Sequence, residues 1–92
     1  MDREESLATL ADAFSRMLQD DTKGRTILEE LPSDLHQDAQ DVVVYVWHFV
    51  ADVRIRPKHP ALKENQEQQM RGLIEALRRG SPREVLLEYT ML

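Results

Sequence analysis

The segment Asp41-Val-Val-Val-Tyr-Val-Trp-His-Phe-Val50 can be taken two ways, and the architecture follows from the choice. Its β-branched and aromatic residues favour a strand. Against that, the run is long and contains no turn signal. No second segment of similar character exists to pair with it, and an unpaired strand leaves its backbone groups unsatisfied. The flanks, from Leu35 through Ala39 and on to Val53, continue a helical spacing. The segment is therefore read as part of one long helix over residues 34–55.

At 100° per residue this helix carries three zones. A broad apolar face holds Leu35, Ala39, Val42, Val43, Val46, Phe49, Val50 and Val53. A polar stripe runs Asp34, Asp38, Asp41, Tyr45, His48, Asp52. Opposite the broad face lies a narrower apolar stripe of Val44, Trp47, Ala51 and Ile55. A surface helix needs only one apolar face. Two such faces predict either a central helix covered on both sides by its own chain, or a second stripe that meets another molecule.

Outward from this segment, residues 3–20 predict an amphipathic helix. Leu7, Leu10, Ala11, Phe14, Met17 and Leu18 recur at spacings of three and four. Asp2 and Glu5 resemble a capping box. A short helix over 25–31 is ended by Pro32, and Ser33 is placed to cap the next. Arg54-Ile-Arg-Pro-Lys-His-Pro60 predicts a stiff, extended, basic loop. Residues 61–79 predict a long polar helix with Leu62, Met70, Leu73, Ile74 and Leu77 along one edge. Lys63, Glu67, Arg71, Glu75 and Arg79 alternate in sign four apart. Gly80 suits a helix stop. Ser81-Pro82-Arg83-Glu84 has the spacing of a second capping box, with Ser81 as cap. The expectation is an all-α fold, one domain over residues 1–92, a compact bundle of four to five helices with 34–55 at its centre.

The 92 residues are 41% hydrophobic and 32% charged, which is globular composition. The absence of Cys excludes a disulfide scaffold, a thiolate metal site and a cysteine nucleophile. The N-terminus lacks the basic and apolar regions of a signal peptide. Val42–Val53 is about half as long as the ~20 apolar residues a bilayer crossing needs, and Tyr89-Thr90-Met91-Leu92 carries no prenylation signal. A cytoplasmic protein without a membrane contact is expected.

Net charge is −5. Residues 1–41 hold four basic and eleven acidic side chains, a net −7, and residues 42–92 hold eight and six, a net +2. A phosphate backbone would repel the whole, which counts against nucleic acid as a partner. The basic groups that would serve such a role are Arg54, Arg56 and Lys58 in the loop, with Arg78, Arg79 and Arg83 near the C-terminus. A DNA- or RNA-associated regulator built on them is the alternative reading.

Catalytic chemistry has one place to stand. Asp41, Tyr45, His48 and Asp52 align at spacings of four, three and four, so His48 and Asp52 are within reach of a hydrogen bond. A small metal-dependent enzyme on this stripe is a further alternative, though one His falls short of the usual ligand set. No nucleophile elbow, phosphate loop or cofactor motif occurs, so no cofactor and no metal are expected. The stripe Val44, Trp47, Ala51, Ile55 is the stronger candidate. It contains the single Trp, a residue enriched at interface hot spots. The leading expectation is a non-enzymatic protein-interaction module, a small acidic regulator or inhibitor acting as a homodimer through this stripe.

Overall fold

The computed structural model describes residues 1–90; Met91 and Leu92, part of the C-terminal segment read above, lie outside the described residues. Five α-helices and no strand occur among the described residues. They are α1 (Arg3–Gln19), α2 (Gly24–Glu29), α3 (Gln37–Ala51), α4 (Pro60–Arg78) and α5 (Arg83–Glu88). The ambiguous valine-rich run is helical, as its flanking periodicity requires. No described helix is long and apolar enough to cross a membrane.

α1 begins where Asp2 accepts the Glu5 amide at 2.7 Å. That bond holds the Asp2 carboxyl below its ordinary range, while the neighbouring Asp2 raises Glu5. The apolar side of α1 is buried except at its end, where Leu18 is half-buried. Leu10, Ala11, Ala13, Phe14 and Met17 are at 0% exposure. α1 lies along α4 and also touches α2 and α3. α4 contributes Met70, Leu73, Ile74, Ala76 and Leu77 to the same core, and α3 adds Ala39, Val42, Val46 and Phe49. The Cα radius of gyration is 12.3 Å, the value of a compact chain of this length (about 12 Å).

The central rod is shorter than the sequence periodicity suggests. Its first helical residue is Gln37, and the cap is His36, whose Nδ1 accepts the Asp38 amide at 3.1 Å. Ser33 does not cap it. The reason is Ser6, buried on α1. Its Oγ donates to the Asp2 carbonyl at 2.7 Å and accepts the His36 amide at 2.8 Å. This fixes the chain in an extended conformation at residue 36, so the helix starts after it. At the other end α3 stops at Ala51, and two single 3-10 turns follow, Asp52–Arg54 and Arg56–Lys58. The loop expected to be extended is therefore coiled, and His59 (φ −134°, ψ 84°), just before Pro60, opens out.

α4 closes in a Schellman turn. Gly80 sits at φ 68°, its amide bonds the Leu77 carbonyl, and the Ser81 amide bonds the Ala76 carbonyl. Ser81 is not a cap: α5 is capped by Pro82 without a side-chain bond. The backbone carbonyl of Ser81 has another role. Arg3 donates to it at 2.6 Å, to the Gly80 carbonyl at 3.2 Å and to Asp38 at 2.8 Å. One guanidinium thus ties the start of α1, the start of α3 and the α4–α5 turn.

Candidate functional site

α3 is packed on three sides. Its core face meets α1. One edge meets α2, where Gly24 lets the backbone approach so closely that a Cβ there would lie 3.0 Å from Val50 Cγ2. The other edge faces α4 and α5. The fourth side has no helix packed on it among the described residues. Val44 is 67% exposed, Trp47 38% and Ile55 44%, and Ala51 is exposed between them. Among the described residues the narrow apolar stripe is therefore left open along its length, with Trp47 the most covered of its large side chains. With Tyr45, it accounts for four of the five exposed large hydrophobic side chains among the described residues; the other is Met1. Trp47 and Ala51 also line an open groove between α3 and the α2 edge, together with Val50, Val53, Arg25 and Arg54.

The polar stripe is drawn apart by the tertiary structure. Asp41 accepts Arg83 Nε of α5 at 2.8 Å and Gln37 Nε2 at 2.9 Å. These bonds, Arg83 first, hold its carboxyl below the ordinary range. Asp52 accepts Gln66 Nε2 of α4 at 2.8 Å. His48 does not bond Asp52; its Nδ1 contacts the Tyr45 carbonyl one turn back. Tyr45 is half exposed. Asp41 and Asp52 therefore serve as separate clamps to α5 and α4, and the four residues do not form a constellation. No cluster of three metal-ligating acids or histidines occurs among the described residues.

The basic residues likewise do not converge. Arg56, expected in an exposed loop, is 1% exposed. Its guanidinium stacks 3.8 Å from the Phe49 ring centroid, binds Asp21 at 3.1 and 3.3 Å, bonds Gln66 Oε1 at 3.0 Å, and donates to the Phe49 carbonyl. It is a buried tie between α3, α4 and the 3-10 turn at Asp21–Lys23, and it cannot reach a phosphate. Arg54 and Lys58 stay exposed at the start of α4. Arg78, Arg79 and Arg83 lie at its far end, about 28 Å away along a 19-residue helix. There each meets an acid: Asp12 at 3.3 Å, Glu75 at 3.9 Å and Asp41 at 2.8 Å.

Arg56, Ser6 and Arg3 organise the site's surroundings, and none was legible as such. Apart from Asp2 for Ser6 and Phe49 for Arg56, their partners lie from 10 to 78 positions away, so no local pattern marks them. Comparison with known proteins adds no relative: no family model, curated protein or solved structure matches the chain.

Proposed function

We propose that this protein is a non-enzymatic helical interaction module whose working surface is the outward face of α3, and that a second copy of the chain is the molecule it binds. One observation carries the reading. In a chain with few exposed large hydrophobics, Val44, Tyr45, Trp47 and Ile55 are gathered on one helix and its C-terminal turn. Scattered exposed apolar residues need no explanation, but a gathered set with an indole at its centre marks an association surface. The partner choice is supported by the flanks, which carry unneutralised charges of both signs. Such a surface complements itself, and a small thin core gains from being doubled.

The test is mass in solution across a dilution series. Wild type is expected to sediment as two chains at the high end and as one on dilution. Trp47→Glu is expected to sediment as one chain throughout, with an unchanged far-ultraviolet circular-dichroism spectrum. A wild-type chain that stays single at every concentration, up to millimolar, would overturn the proposal.

A further inference from the structure

The edges of the exposed α3 face differ in charge, and this difference dictates how two copies can meet. On the α4 side stands Asp52. It accepts Gln66 Nε2 and has no cationic partner among the described residues. On the α2 side stands Arg54, exposed and lining the groove with Trp47 and Ala51. Arg54 has no hydrogen bond or ion pair among the described residues. Of the other charges bordering the face, Lys58 in the turn after Ile55 is exposed and without a side-chain partner among the described residues, and three are matched within the chain. Asp41 is bound by Arg83, Arg25 by Glu29 and Asp21 by Arg56. Asp52 and Arg54 are thus two unmatched opposite charges, two residues apart, on opposite edges of one apolar strip.

Symmetry then decides between the two ways of pairing. A two-fold axis perpendicular to the helices, the antiparallel case, sets each edge against the same edge of the partner. Asp52 of each copy then approaches Asp41 of the other, and Arg54 finds no acid. A two-fold axis along the helices, the parallel case, sets each edge against the opposite one. Asp52 of each copy then lies beside Arg54 of the other, twice. Like charges brought together at an interface oppose association, and opposite ones fix its register. The helix dipoles favour the antiparallel case, but their effect fades within a turn of each end and is screened by salt. We infer that two copies of this chain pair α3 against α3 in parallel, with reciprocal Arg54–Asp52 ion pairs framing the Val44–Trp47–Ala51 seam. This rests on the self-association proposed above.

The parallel arrangement has a geometric signature. Every position on the seam faces its own twin. In the antiparallel arrangement centred between Trp47 and His48, Ile55 and the exposed Gln40, one turn before Val44 on the same face, are each about 22 Å from their twins, from a rise of 1.5 Å per residue over the fifteen residues separating them. The chain contains no Cys, so single-cysteine variants report without background. Gln40→Cys and Ile55→Cys, oxidised separately, are each expected to give disulfide-linked dimers in high yield. A complementary experiment swaps charge. Arg54→Glu and Asp52→Lys are each expected to weaken self-association about tenfold or more, and an equal mixture of the two is expected to restore a two-chain species.

The outcomes separate the two claims. If wild type dimerises and Trp47→Glu abolishes it, yet neither Gln40→Cys nor Ile55→Cys cross-links and the mixture stays single, the face is right and the parallel register is wrong. If wild type never dimerises, both fall. Should Asp52→Lys fail to fold for loss of the Gln66 contact, Arg54→Glu alone and the two cysteine variants still decide the register. These three substitutions replace exposed side chains.

Discussion

Removing the Arg56 side chain strands three groups at once: the Asp21 carboxylate, Gln66 Oε1 and the Phe49 carbonyl. Breaking a buried charged network by deleting one partner costs about 3–5 kcal/mol. Asp21 remains partly hydrated, with 35% of its side chain exposed, so the lower end applies. Arg56→Ala is expected to lower the urea unfolding free energy by about 3 kcal/mol. Arg56→Lys keeps the charge but loses the planar fork and the stack on Phe49, and falls between the two. Equilibrium urea denaturation followed by Trp47 fluorescence checks both. In the sequence Arg56 sits between Ile55 and Pro57 and reads as one more loop cation. Its burial depends on an acid 35 positions upstream and an amide ten positions downstream, which no local pattern records.

Helix ends show which local signals suffice and which do not. Gly80 was legible because a positive φ is a property of one residue, and it sits at φ 68° in the Schellman turn. A Cβ there would meet nothing within 4 Å. Gly80→Ala is therefore expected to cost about 1–2 kcal/mol from backbone strain alone, measurable as a lowered thermal midpoint without change in the folded spectrum. Gly72 is the contrary case. A Cβ at that position would lie 2.6 Å from Tyr89 Cε1, so Gly72→Ala must push the ring outward and loosen α5. Faster proteolysis after α4, at an otherwise intact core, is the expected readout. Ser81 and Ser33 had the residue type and spacing of caps but do not cap. Ser6 and Arg3 fix those two turns from a distance. The Asp41–Arg83 clamp makes α5 docking sensitive to acid. The folded Asp41 carboxyl is held below its ordinary value by Arg83 and Gln37, so the native state binds fewer protons. Its contribution is present above the unfolded pKa of about 3.9 and is lost as pH falls through the folded value. Asp41→Asn is expected to flatten the decline of stability within that acid window, below about pH 4, read as a thermal midpoint against pH.

At the scale of the whole molecule, association and stability are linked. If the α3 faces pair, the folded dimer is stabilised by mass action, and the thermal midpoint rises with chain concentration. Scanning calorimetry is expected to show this for wild type and not for Trp47→Glu. The periodicities of α1 and α4 and the helical reading of the valine-rich run were available from the chain alone. They depend on residues three and four apart within one element, and the lack of a second strand-like segment removed the alternative. The existence of a second apolar stripe on α3 was readable for the same reason. Whether its own chain covered that stripe was not. That depends on where α2, α4 and α5 dock, and docking is set by close approach at Gly24 and by Arg3, Ser6 and Arg56 reaching across tens of residues. The same long-range contacts dismantled the polar stripe, since each of its carboxylates found a partner on another helix. Local spacing dictates which face of a helix is apolar; only the packed molecule determines which faces water keeps.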